Sequence, residues 1–146
     1  MNGIGSAFLN GAIRKELGLE SIDLRAGLDI AKSHLKRGAH LEALRTYVAL
    51  VLCEPTNIDF QVGLANCALL LNQHHLALQA ASAIVALAPS DARGYFLSGR
   101  ACLALGHYAE AAEDLRDAVE FGRNARDPVI AEEASQLLQK LSTMQS

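Results

Sequence analysis

Residues 104–115 read ALGHYAEAAEDL. Gly106 stands two positions before Tyr108 and Ala111 three after it, so a helix through Leu105 is interrupted at the glycine and a second begins near the tyrosine. Glycine enters the left-handed backbone region at little steric cost, which lets the chain turn between two helices. The alanine then falls where the two touch. A lone helical hairpin cannot bury its own apolar face in water, so the arrangement has to recur along the chain.

It recurs with a period of 34: Ala43, Ala77 and Ala111 follow this step, as do Gly38, Asn72 and Gly106, then His40, His74 and Tyr108, and Pro55 with Pro89. The register never slips. Three units result, residues 24–57, 58–91 and 92–125, each predicted to be a helix, a tight turn and a second helix. Gly or Asn supplies the turn, the ring at the next step plugs the space beside it, and the alanine is the contact between helices. The prolines end the second helices of units one and two, because the residue before a proline is pushed out of the helical region. Unit three has Arg123 where a proline would fall, and Gly122 is the expected helix stop.

Two segments flank the units. Asp127-Pro128 starts a helix, with a capping carboxylate and a proline in the first turn, and Ile130, Ala134, Leu137, Leu138 and Leu141 give it an apolar stripe over 128–142 that covers the end of the stack. At the other end Ile4, Phe8, Leu9, Ile13 and Leu17 follow a helical stripe, weakened by Gly3, Gly5 and Gly11. The chain therefore reads as one all-α domain: an N-terminal helical segment (1–23), an α-solenoid of three repeats (24–125) and a C-terminal capping helix (126–146).

Composition narrows the function. The 146 residues are 51% apolar and 20% charged, which fits a folded core rather than a disordered tail. Residues 60–90 lack Asp, Glu, Lys and Arg, yet Asn72 to His75 break the run at its centre, so a helical hairpin fits better than a membrane span. A net charge of −3 offers no basic footprint for nucleic acid or anionic lipid. Charges follow the apolar residues at the N-terminus, the reverse of a secretory signal, and a cytosolic protein is expected.

The search for chemistry ends without a reactive constellation. Cys53, Cys67 and Cys102 have no metal-ligand spacing and read as packed thiols. His40 and His74 share the register of Tyr108 and read as packing rings. No HExxH, paired carboxylates or nucleophile elbow is present, and GIGS near the N-terminus lacks both a preceding strand and the full phosphate-loop spacing. Glu110, Glu113, Asp114, Asp117 and Glu120 read as a solvated face of the last second helix. No catalytic residue, metal or cofactor is expected, and a binding protein is.

The units resemble tetratricopeptide repeats without the early tryptophan. In such stacks the first helix of each unit lines a concave groove, and the resemblance implies one row of Leu28, Val62 and Phe96 and another of Leu35, Leu69 and Leu103. Lys32, Asn66 and Arg100 lie between the rows, and Arg25, Asp59 and Arg93 edge the groove. Apolar rows with interleaved polar groups suit an extended peptide. Positions that clamp a terminal carboxylate in co-chaperone repeats hold Leu28, Gly63 and Leu97 here, which argues against that ligand. A second apolar surface is expected on the convex side, from Leu41, Val48, Leu52, Leu76, Ala80, Ala83 and Ala86, covered either by the N-terminal stripe through Phe8 and Ile13 or by a second copy of the chain.

Over residues 59–115, FxxGLxxC (Phe60, Gly63, Leu64, Cys67) and YFLSGRACLALGHYAEA resemble the second and third repeats of class II chaperones of bacterial type III secretion, which guard translocators. That resemblance implies a non-enzymatic protein of the bacterial cytosol whose groove keeps an extended segment of a hydrophobic translocator soluble. A general tetratricopeptide adaptor is the other reading.

Overall fold

The computed structural model describes residues 21–145. Seven helices run in order among the described residues: α1 (Ser21–Lys36), α2 (His40–Cys53), α3 (Ile58–Leu70), α4 (His74–Leu87), α5 (Ala92–Leu105), α6 (Tyr108–Asn124) and α7 (Pro128–Gln145). Each packs on its sequence neighbours, α3 also touches α5, and α5 also touches α7. α3, α5 and α7 therefore form one layer, which the repeat register extends to α1. This is the three-repeat solenoid with a terminal covering helix that the period predicts.

The turns repeat atom for atom. Gly38, Asn72 and Gly106 all adopt positive φ, at 75°, 58° and 80°. The amide of the residue after each, Ala39, Gln73 and His107, donates to the carbonyl five residues back at 2.8 Å, on His34, Ala68 and Cys102. That bond closes the open end of each first helix. Three helix starts are capped by a short side chain: Asn57 accepts from the Phe60 amide, Asp91 from that of Arg93 and Asp127 from that of Ile130. Glu54 and Ala88 leave the helical region before Pro55 and Pro89, as steric clash with the ring requires.

Two turn expectations are corrected. α6 does not stop at Gly122 but continues to Asn124, and the left-handed residue is Arg126, with φ 56°. The Asp127 amide donates to the Gly122 carbonyl at 2.7 Å, so the same cap is built without glycine. Gly122 is buried where α7 crosses: a Cβ there would lie 3.2 Å from the Ala131 nitrogen. The rings at the helix starts also do less than expected, since Tyr108 is 39% exposed while His40 and His74 are half-buried.

Small residues set the spacing of the layers. Ala43, Ala77 and Ala111 are fully buried at the hairpin contacts. Between units, the Tyr47 ring of α2 packs against Gly63 of α3, where a Cβ would come within 2.0 Å of it. A further device recurs at the 34-residue step: the Gln61 side chain donates to the Pro55 carbonyl at 2.9 Å, and the Tyr95 hydroxyl to the Pro89 carbonyl at 2.5 Å. Each ties a first helix to the loop that precedes it. Cys53, Cys67 and Cys102 are buried and outside any disulfide, and burial pushes Cys67 up to about 11, far from the reactive thiolate.

Of the acidic residues on α6, Glu110, Glu113 and Glu120 are exposed, but Asp114 is not part of a solvated face. It leans on α5, where it accepts the Ser98 hydroxyl at 2.7 Å, and burial followed by the nearby charges of Asp117 and Glu113 raises its pKa despite that bond. The folded chain thus keeps a proton that the unfolded chain has lost, so this group's contribution to stability declines as pH rises from the ordinary carboxylate value through the folded one. Asp114→Asn, which can still accept from Ser98, should raise the melting temperature at pH 7 and leave it unchanged at acid pH. Thermal melts at both pH values read this directly, and equal shifts at the two would contradict it.

Candidate peptide groove

The repeat register carries the apolar residues of α1, α3 and α5 to one face because position 5 and position 12 of each unit lie two turns apart on the same side of a helix. Leu28, Val62 and Phe96 are half-buried, and so are Leu35, Leu69 and Leu103. Leu28, Leu35, Val62 and Leu69 rest on the core of units one and two, whereas Phe96 and Leu103 rest on Leu115, Ala118 and Ala134 of unit three and the covering helix. One side of each residue packs inward and the other is open. None of the six is lost to the core.

The polar residues divide into two kinds. Arg93 is engaged: it pairs with Asp91 at 2.8 Å and with Asp59 at 3.3 Å, the latter one full repeat away at the same register position. The pairing lowers the Asp91 pKa, chiefly through the Arg93 hydrogen bond, and ties the edge of α5 to that of α3. Lys32 is exposed, Asn66 half-buried, and Arg100 half-buried with its guanidinium 5.6 Å from the centre of the Phe96 ring. A depression of about 250 Å³ opens between α1 and α3, lined by Leu24, Arg25, Leu28, Glu54, Asn57 and Phe60.

Leu70 escaped the sequence reading and is 53% exposed. Its signal was present, since it follows Leu69 in the run LLL at the end of α3, but it belongs to neither row. The structure also joins Tyr95 to Phe121 in a stack with centroids 5.1 Å apart, a contact between α5 and α6 that no spacing in the chain announces.

On the convex side α2 and α4 stand apart over α3, leaving a cleft of about 280 Å³ lined by Val48, Val51, Leu52, Leu76 and Ala83, with Ala80 buried in its floor. Leu41 and Leu52 are 45% and 50% exposed. The second apolar surface is therefore a cleft with greasy shoulders. Phe8 and Ile13, expected to cover it, lie outside the described residues. Among the described residues no cluster of three metal-ligating side chains occurs, and no helix is long and apolar enough to cross a membrane.

Comparison with known proteins places the fold. No family model matches the chain. Among curated proteins it is 33% identical over 90 residues, 62% of its length, to cellulose synthase operon protein C of Pseudomonas fluorescens, and the match spans 7% of that much longer relative. Among solved structures it superposes on Pseudomonas aeruginosa PcrH in complex with the chaperone binding region of PopD, with a TM-score of 0.81 at 19% identity over 88% of this chain and 98% of that one. SycD, the type III secretion chaperone of Yersinia enterocolitica in complex with a peptide of the translocator YopD, gives 0.79 at 21% identity over 87% and 98%. The first tetratricopeptide domain of Spaghetti, bound to an HSP90 peptide, gives 0.76 at 24% identity over 86% and 94%. These likenesses establish the tetratricopeptide fold.

Proposed function

We propose that the protein is a non-enzymatic chaperone of the bacterial cytosol whose groove, formed by α1, α3 and α5, holds an extended segment of a hydrophobic type III secretion translocator. The observation that carries this reading is that six apolar side chains of the groove are half open while their inner sides rest on the core. PcrH and SycD, alike to this chain over nearly their whole length, are chaperones each seen with a segment of a translocator. The mechanism is occupation: apolar groups of the client that drive aggregation are covered instead by the two rows, at ~25 cal/mol per Å² buried. The work is binding, with no bond made or broken. The proposal expects an apolar secreted protein to be encoded nearby, and co-expression should move that protein from the pellet to the soluble fraction; a client that stays in the pellet contradicts the proposal.

A second reading, a general tetratricopeptide adaptor, draws support from the likeness to cellulose synthase operon protein C and to Spaghetti. Neighbouring genes separate the two, because an adaptor needs no aggregation-prone client beside it.

The convex cleft supports a homodimer, which would cover Leu41, Leu52 and the cleft between α2 and α4 in one step. Another chain of this fold, SycD, is described as a dimer. Sedimentation equilibrium of the full chain is expected to give twice the chain mass, and the single-chain mass at micromolar concentration would contradict it.

A further inference from the structure

We infer that the groove selects extended segments carrying two acidic side chains, one meeting Lys32 and the other Arg100, with apolar residues between them. The inference rests on the groove reading above and names the class of segment the groove takes.

The chain as a whole carries −3, but its charge is not evenly spread. Arg25 and Arg93 at the groove edge are accompanied by the carboxylates of Glu54, Asp59 and Asp91, whereas the positions between the rows hold Lys32 and Arg100 and no carboxylate; Asp29 is exposed one position off the rows. Exposed acid gathers instead on α6, in Glu110, Glu113 and Glu120. A cavity lined by one sign of charge focuses its field and draws the opposite sign.

Arg93 is already neutralised by Asp59 and Asp91. Lys32 and Arg100 make no ion pair among the described residues. The two are unlike in mobility. Arg100 is half-buried and lies over the Phe96 ring, so its fork is placed before a ligand arrives; Lys32 is exposed on α1. A purely apolar segment pressed into the rows would strip water from these cations and offer no partner, which disfavours it. A segment with acid at both points offsets that desolvation with charge-assisted hydrogen bonds, and Asn66 between them can bond its backbone.

Spacing follows from the repeat. Lys32 and Arg100 occupy the same register position two repeats apart. Taking for each repeat step the about 8–10 Å of neighbouring packed helices, as for the touching α3 and α5, the two cations are separated by roughly 16–20 Å. An extended strand advances about 3.3 Å per residue, which puts the acidic residues about five or six positions apart. The charges lie along the groove rather than at one end, and the clamp positions for a chain terminus hold Leu28, Gly63 and Leu97. Side-chain carboxylates within a segment fit this pattern.

The test is selection of random dodecapeptides displayed on phage with their C-termini fused to the coat protein, panned at low salt against the full chain and against the Lys32→Gln/Arg100→Gln variant. On the wild type, enriched sequences should combine apolar residues with two Asp or Glu about five or six apart. On the variant the acidic bias should vanish while the apolar bias stays. A selected peptide bearing a fluorescent label should bind the variant roughly five- to tenfold more weakly, the sum of two part-exposed ion pairs. The Arg100→Lys variant, which keeps the charge, should keep the acidic bias. Apolar enrichment without acid, or equal binding of the labelled peptide to both proteins, overturns the inference and leaves the groove reading in place. Absence of any enrichment on the wild type overturns both.

Discussion

Valine at position 63 is expected to unfold the middle of the stack. Even alanine there puts a Cβ 2.0 Å from Cε1 and 2.3 Å from Cζ of Tyr47, whose ring is 3% exposed and has no free space to retreat into. Overpacking of this kind costs about 1–3 kcal/mol and more for larger groups, against a total stability of about 5–15 kcal/mol for a domain. The better helix propensity of alanine returns only about 1 kcal/mol. Gly63→Ala should therefore lower the melting temperature by several degrees, and Gly63→Val should abolish the cooperative transition seen by circular dichroism. Tyr47→Leu combined with Gly63→Ala should recover part of the loss, because the ring is what the new methyl meets. Strict additivity of the two changes would mean that the contact is not the cause.

Phe96→Glu is expected to end client binding without unfolding the protein. The residue is the unit-three member of the first apolar row, half-buried, with Arg100 one turn further along the same helix. The new carboxylate finds that guanidinium as a partner, which favours the helix. A client side chain finds a charge where a ring was. Loss of an aromatic anchor at an interface costs about 2–4 kcal/mol, which is roughly 30- to 1,000-fold in affinity. Helicity should match the wild type while the co-expressed client returns to the pellet; full retention of the soluble client would remove Phe96 from the site.

Much of this was legible in the chain because the repeated residues act through the backbone. Gly38, Asn72 and Gly106 announce their turns since few other residues reach positive φ cheaply, and Pro55 and Pro89 announce helix ends for an equally local reason. Arg126 shows the limit: it takes the same left-handed cap at the end of α6 with a side chain that gives no signal, and Gly122 drew the reading four residues too early because its true task is the approach of α7. That Leu28, Leu35, Val62, Leu69, Phe96 and Leu103 share one state of half-burial was legible because register fixes the face of a helix. Charge was harder. Asp59 and Arg93 occupy the same register position in successive units, yet their pairing depends on the distance between α3 and α5, which no spacing along the chain records. Asp114 was misread for a related reason, since its burial comes from the lean of α6 against Ser98 of α5 rather than from its place on the helix wheel.

The central claim is that the client lies along α1, α3 and α5 and nowhere else on the protein. Site-specific photocrosslinking measures this most directly, with a benzophenone side chain placed in turn at Asn66, between the two apolar rows, and at Ser82, exposed on α4. With the client co-expressed, irradiation should give a crosslinked adduct from position 66 and none from position 82. An adduct from position 82 with none from position 66 would put the client on the convex side and contradict the account.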